Sequence, residues 1–524
     1  MSNELTSSAT HDLSVIAETT EGKVRGSAKD GCCIFKGIRY GETTAGGNRF
    51  LPTRPPQKWS GVRNALDWGP SAPQSPVPEN TDPIYSWYSE IQTISEDCLF
   101  LNVFTPGVDD GKRPVMFWIH GGGWRSFSGT APGFNGTNLA RDQDVVVVTI
   151  NHRLNAFGFL YLTDPDERFA DAGNAGLLDI VSALKWVRDN AQTFGGDPNN
   201  ITIFGQSGGA SKVVALLAMP AASGLFHKAI IQSTAGGMTI CDQEEAVRHS
   251  ASLAKALGRA KLDGEELQKI PMETIIPAVK AAGGQFRSVI DGRNFTDQLY
   301  APNAPTISSE VPLLIGCVNT ETTYHLNMDP SNSSLNISDV RRRLARYLKV
   351  EAGQVDRIIE GYQSVFPSLK PIGILVAVTS DFQYRRNSLR IAELHAARKG
   401  APVYFYNFCY EAPFGNGQLG TPHTGEVPFI FGTTTSASAM LGTSNDLGPM
   451  TKRMMACWAS FARHGTPNNH TIPNWAPFEK ALRKVMMLDV ESRIAFDPGG
   501  TARQLLDELP YSGYQYSFAH FMRD

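Results

Sequence analysis

The chain has 524 residues, 41% of them hydrophobic and 19% charged, and 48 Lys+Arg against 51 Asp+Glu leave a formal net charge of −3. That balance offers no cationic surplus to neutralise phosphates, which excludes nucleic acid and anionic lipid as partners; no apolar run approaches the ~18 residues of a membrane-spanning helix. At ~150 residues per domain the length suggests several domains, yet α/β enzymes routinely exceed that figure as one unit.

The first fifteen residues, MSNELTSSATHDLSV, have neither a basic n-region nor an apolar h-region, so no secretory signal is expected. Seven cysteines, an odd number with no C-x-x-C pair, cannot form a complete disulfide framework or a zinc ribbon. Free thiols, a cytoplasmic location and no metal are therefore expected. Alternating segments at 22–26 and 33–40 predict an antiparallel meander, and the Pro-rich stretch 70–83 predicts a loop. Apolar runs at 99–104, 115–120, 145–151 and 201–204 read as buried strands of one sheet. Between the last two, Ile180, Leu184 and Val187 recur at helix spacing over 178–194, with Gly195-Gly196 just past the end. Strand, helix, strand in this order predicts a mostly parallel α/β sheet.

Segments 242–280 and 338–399 are mainly helical in pattern and are expected to form a cap at the mouth of the sheet. The basic run 341–349 carries an apolar stripe of Val340, Leu344, Tyr347 and Leu348, which makes it a solvated helix rather than a nucleic-acid site. With no repeat and no long linker, residues 1–524 are expected to form a single domain with helical insertions.

The chemistry concentrates in three places. Residues 201–210 read ITIFGQSGGA: a β-branched run, Gly205-Gln206-Ser207-Gly208-Gly209, and then a helical pattern over 213–218. A nucleophile elbow needs this order, because its serine occupies a strained strand-to-helix turn whose flanking glycines permit close backbone approach. The helix N-terminus beyond it favours an incoming oxyanion. Upstream, His120-Gly121-Gly122-Gly123-Trp124 follows an apolar strand. Acyl transfer requires N–H donors aimed at the developing oxyanion, and adjacent glycines expose them.

A serine hydroxyl is a poor nucleophile at neutral pH and needs a histidine base, itself oriented by an acid. Among the histidines after Ser207, His423 lies in a Gly-rich loop beyond the strand-like 403–410, where sheets of this class place their chemistry. His395 falls in a helical pattern. For the acid, Glu321 directly follows the apolar strand 311–318, whereas Asp291 and Glu310 follow no such strand. The order Ser207, Glu321, His423 is that of the nucleophile-elbow hydrolases. A nucleotide-binding enzyme is disfavoured, because no P-loop motif is present and no G-x-G-x-x-G follows a strand; no cofactor is expected.

These residues resemble the type-B carboxylesterases, the family of the cholinesterases and the bacterial para-nitrobenzyl esterases, and the resemblance runs along nearly the whole chain. It includes FKGIRY at 35–40, SEDCLFLN at 95–102, GNAGLLD at 173–179, FGGDP at 194–198, the elbow, and Gln232-Ser233. It implies an α/β-hydrolase fold, with Ser207 as acyl-forming nucleophile, Glu321 as acid, His423 as base, and the N–H groups of Gly122, Gly123 and Gly208 as oxyanion donors. It further implies an ion pair between Glu96 and Arg153 and a Ser233 hydroxyl supporting Glu321. Two departures are visible. The family usually has Gly-Glu-Ser-Ala-Gly at the elbow, so Gln206 removes a carboxylate beside the nucleophile and Gly208 replaces alanine. In secreted relatives the cysteine matching Cys98 is disulfide-bonded, but Ala72 stands where its partner would be.

The implied activity is carboxylic-ester hydrolysis through an acyl-enzyme, on small to medium hydrophobic or aromatic esters. Amide or carbamate hydrolysis by the same triad is the near alternative, and a catalytically inactive binding protein of cholinesterase type the remote one. Trp124 and Phe127 are expected to line the acyl site, and Tyr85, Trp87 and Tyr88 to come from a loop over the entrance. The expected partner is a small-molecule ester, with the chain a monomer or weak homo-oligomer.

Overall fold

Buried runs of Val, Ile, Leu and Phe build a sheet of 13 strands in the computed structural model, which describes residues 13–509 apart from 77–81, 164–165, 284 and 328–329. The strands are β1 (Leu13–Glu18), β2 (Lys23–Lys29), β3 (Cys32–Arg39), β4 (Val62–Asn64), β5 (Phe100–Thr105), β6 (Arg113–Ile119) and β7 (Val146–Ile150). After them come β8 (Gly196–Gln206), β9 (Lys228–Gln232), β10 (Leu313–Val318), β11 (Val403–Phe408), β12 (Lys484–Leu488) and β13 (Arg493–Phe496). Their spatial order is β1-β2-β3-β5-β7-β6-β8-β9-β10-β11-β12-β13, with β4 paired to β2. From β7 to β12 every neighbouring pair is parallel, whereas β1, β2, β3 and β5 form the expected antiparallel meander and β13 closes the far edge antiparallel. The expected strands at 99–104, 115–120, 145–151 and 201–204 lie within a few residues of β5 to β8. The sequence reading contains no strand at β9, β12 or β13. The first twelve residues and part of the loop at 70–83 lie outside the described residues.

Side chains of β6 alternate between the two faces of the sheet: Val115, Phe117 and Ile119 join one hydrophobic cluster, Met116 and Trp118 the other. Both sets are fully buried, as expected of a parallel strand covered by helices on both sides. Each such side chain contributes roughly 1.5–3 kcal/mol of transfer free energy. Register then fixes the site. Ile119 pairs with Gly205, Gln206 with Gln232, Gln232 with Gly316, and Gly316 with Tyr406. The carboxyl ends of β6, β8, β9, β10 and β11 therefore lie side by side, and their following loops open on one edge.

Segment 242–280 is helical over Gln243–Ala256 and Gly264–Gln268, and a third helix runs Met272–Ala282. Segment 338–399 contains helices Ile337–Leu348, Ala352–Val365, Pro371–Ser380 and Arg386–Ala396, with a π-helical turn at Asp381–Arg385. The basic helix Ile337–Leu348 buries Val340, Leu344, Tyr347 and Leu348, as its stripe predicts, and starts with a capping box between Asn336 and Asp339. No helix of the described residues is long and apolar enough to cross a membrane.

Candidate active site

At the end of β8 the chain turns sharply into the helix Gly208–Ala218, with Ser207 at the turn in a strained positive-φ conformation, φ 58° and ψ −122°. Such backbone strain is held in place by surrounding packing. The flanking glycines are required by crowding: a Cβ on Gly209 would lie 2.0 Å from the Ile119 carbonyl oxygen, and one on Gly205 would lie 2.6 Å from the backbone of Gly209. The loop after β6 comes alongside, since a Cβ on Gly121 would sit 3.3 Å from Cβ of Ser207. Gly122 and Gly123 in that loop have positive φ, 82° and 66°, and their N–H groups have no acceptor among the described residues. The N–H of Gly208, first in its helix, likewise has no intrahelical partner.

Beyond β10, Glu321 is fully buried, and its Oε1 accepts a hydrogen bond from the Val318 N–H at 3.0 Å. Its Oε2 lies 2.5 Å from Nδ1 of His423, which is carried by the loop after β11. The Tyr85 hydroxyl donates to the His423 carbonyl at 2.8 Å, and the Tyr384 ring, from the π-helical turn, lies 4.8 Å from the imidazole. The structure thus joins two of the three residues expected to form the triad directly. The third, Ser207, makes no side-chain hydrogen bond among the described residues; contacts of this kind commonly tighten only when substrate binds. In its place the Gln206 amide nitrogen lies 3.1 Å from His423 Nε2, and Gln206 Oε1 accepts from the Tyr88 hydroxyl at 2.9 Å. A proton on Nδ1 directed at Glu321 would leave Nε2 to accept from the Gln206 amide, the tautomer that a general base requires.

Two pairings implied by the family resemblance are not the ones formed. Arg153 does not meet Glu96. Its guanidinium is wholly buried against Asp179 at 2.6 Å, with further donors on the carbonyls of Leu51 and Ala175, so Asp179 rather than Glu96 compensates its charge. Glu96 pairs instead with Arg49 at 2.5 Å, and Arg49 also reaches the carbonyls of Leu267 and Ile270. Ser233 does not support Glu321 either. The carboxylate oxygens accept from Val318 and contact His423, while the buried Ser233 hydroxyl has no partner among the described residues.

The expected pocket aromatics divide. Trp124 is buried, edge-on to Phe159, and lines a small space with Ser211, Thr239, Arg287 and Leu299. Phe127 is half-buried and meets the Tyr88 ring edge-on at 5.4 Å. Tyr85 and Tyr88 touch the site through the hydrogen bonds above. Trp87 packs beneath the loop, its indole N–H on the Ile84 carbonyl. His395 is structural, bonded to Tyr300 and the Val311 carbonyl, and Asp291 braces a loop through Asn174 and Asn294. All seven cysteines are unpaired.

Glu426, three residues past His423, is a buried acid that the sequence reading missed. Its Oε1 accepts from Gln232 at 3.0 Å, while Oε2 has no partner among the described residues. Burial, reinforced by the neighbouring Glu321 carboxylate, pushes it from the usual 4.5 up to about 7. Below pH 4.5 this carboxyl is protonated whether folded or not; between 4.5 and about 7 the unfolded chain releases a proton that the fold retains. Stability therefore falls as pH rises through that window and is level above it. Glu426→Gln is expected to remove this loss, gaining about 3 kcal/mol at about pH 8 relative to its effect at about pH 4 in urea unfolding. An equal effect at both pH values would contradict the assignment.

An open, mostly parallel sheet with a strained serine turn after a central strand, and a carboxylate–histidine pair on loops beyond later strands, defines the α/β-hydrolase fold. Solved structures agree: a carboxylesterase of Geobacillus stearothermophilus, EST55, superposes with a TM-score of 0.82 at 35% identity, covering 94% of this chain and 99% of its own. The para-nitrobenzyl esterase of Bacillus subtilis is 32% identical over 94% of this chain and 98% of its own length. The phenmedipham hydrolase of Pseudarthrobacter oxydans is 34% identical over 88% and 92% respectively. The chain belongs to the carboxylesterase family, whose sequence model matches residues 13–505, and it is a carboxylesterase.

Proposed function

We propose that the protein hydrolyses carboxylic esters through an acyl-enzyme on Ser207. The observation that carries this reading is the 2.5 Å contact between Glu321 and His423 Nδ1, which leaves Nε2 as a lone-pair base on the same edge of the sheet as Ser207. His423 takes the Ser207 proton as Oγ attacks the ester carbonyl. The tetrahedral oxyanion is held by the N–H groups of Gly122, Gly123 and Gly208, and collapse expels the alcohol with the proton returned by His423. Water, deprotonated by His423, then releases the acid and regenerates the serine. Substrate access requires the Gln206 amide to yield Nε2 to the serine hydroxyl.

Trp124, Phe127, Tyr85 and Tyr88 support small to medium hydrophobic or aromatic esters. The relative named phenmedipham hydrolase supports carbamates as the second substrate class. The seven unpaired cysteines support a cytoplasmic location, and a site drawn from residues 207, 321 and 423 supports one catalytic domain spanning the chain. A panel of p-nitrophenyl esters, anilides and carbamates of graded acyl size, paired with mapping of a fluorophosphonate adduct, tests the reading. Highest turnover on aryl esters and an adduct on Ser207 are expected. An adduct exclusively on another residue overturns it.

A further inference from the structure

Lys212 lies in the second turn of the helix that follows Ser207 and is wholly buried. No carboxylate pairs with it among the described residues. Its Nζ donates to the Gly123 carbonyl at 2.9 Å and to the His120 carbonyl at 3.3 Å, and it lies 5.6 Å from the centre of the Trp124 ring. These carbonyls are the first and last of the His120–Gly123 turn, and between them stand the free N–H groups of Gly122 and Gly123. The close approach depends on residue 208: a Cβ there would lie 2.1 Å from the Gly123 oxygen that Lys212 holds. Glycine at 208 and lysine at 212 thus act on one atom, the first admitting the loop and the second retaining it.

We infer that Lys212 is a positioning residue for the oxyanion hole, a buried cation that ties both ends of the glycine turn to the nucleophile helix and so aims the Gly122 and Gly123 N–H groups at the developing negative charge. An uncompensated buried cation is costly to keep, and donors preorganised where charge develops are among the largest contributors to acyl-transfer rates. The inference rests on the serine mechanism above.

The clamp is pH-sensitive in a defined direction. Burial brings Lys212 down to about 7. The groups facing it are His120 and His152, whose rings stack at 4.9 Å. Burial, with the Lys212 charge second, holds His120 at about 3, and the same two causes hold His152 well below the usual histidine range, so neither competes for the proton. Loss of the lysine proton on the alkaline side weakens its donation to both carbonyls.

Lys212→Met keeps an unbranched side chain, one atom shorter, and removes its donors. With p-nitrophenyl butyrate, kcat is expected to fall about 100- to 1000-fold, the loss typical of one oxyanion donor, with KM within about threefold. A trifluoromethyl ketone, which forms the tetrahedral adduct, should lose affinity in parallel with kcat, and Lys212→Arg should recover part of both. A purely structural role would lower the melting temperature and leave kcat per folded molecule unchanged, which overturns the inference. A pH profile gives a second test: kcat of the wild-type enzyme is expected to decline as pH rises through about 6 to 8, the window around the Lys212 value of about 7, and Lys212→Met to lack that decline; a decline shared by both, or absent from both, overturns the pH sensitivity of the clamp. Ser207→Ala separates the two readings. If that variant keeps full turnover the serine mechanism fails; if it is inactive while Lys212→Met is unimpaired, only the clamp fails.

Discussion

Ser207→Ala is expected to reduce p-nitrophenyl ester hydrolysis by about 10⁶-fold per folded molecule, leaving the small residual rate that the oxyanion donors supply without a nucleophile. The loss is not expected to come from unfolding. The Ser207 hydroxyl has no hydrogen-bond partner among the described residues, and the backbone at 207 is held by its N–H on the Gln232 carbonyl at 2.9 Å and by its own carbonyl on the Ser211 N–H at 3.0 Å, both of which alanine retains. Unfolding midpoints of variant and parent should therefore coincide within error. His423→Ala is expected to match the serine variant, because the two act as a unit, whereas Glu321→Ala should cost less, about 10⁴-fold. Initial rates of p-nitrophenol release across the three variants check this. Residual turnover above about 1% in Ser207→Ala would show that another group is the nucleophile.

Asp179→Ala is expected to have the largest effect on stability, about 3–5 kcal/mol in urea unfolding. Asp179 accepts from the Arg153 backbone N–H at 2.9 Å, from Nη2 at 2.6 Å and from Nε at 2.9 Å, and also from the Thr53 hydroxyl. Both ionic side chains are essentially without solvent contact. Removal of the acid leaves a guanidinium in the interior with its charge uncompensated, which costs far more than the net worth of the intact pair. The double replacement Arg153→Met with Asp179→Leu is accordingly expected to recover most of the loss. A single-variant cost below about 1 kcal/mol would mean that water reaches the site.

The parts of this molecule that were legible in the sequence are those where local physics leaves little choice. Buried parallel strands appear as unbroken apolar runs, and the serine turn carries glycines at 205 and 209 because nothing larger fits beneath the Ile119 carbonyl. Glu321 could be picked out because it follows a strand closely, and His423 because it lies in the Gly-rich loop beyond one. What the sequence concealed are partner choices made across long separations. Arg153 has several acids within reach in principle, and only the packing of the helix Ala175–Asn190 against the loop after β7 selects Asp179 over Glu96. Lys212 carries no signal of burial in the sequence, and its role is visible only once the glycine turn after β6 is seen to supply two carbonyls. Strands β9 and β12 are five residues each and lack strong turn signals, so pairing rather than pattern defines them.

The alignment of strand ends along one edge has a consequence for biosynthesis. Each residue of the proposed triad follows a different parallel strand, and β11, which carries the loop of His423, gains its outer neighbour only when β12 has been made. Parallel pairings of such sequence separation form late, because loop closure must precede the contacts that reward it. On the proposed mechanism, a nascent chain holding the serine turn alone is expected to be inactive on the ribosome. Ester turnover reports completion of the whole sheet, which makes recovery of activity during refolding a later and stricter clock than recovery of helical signal.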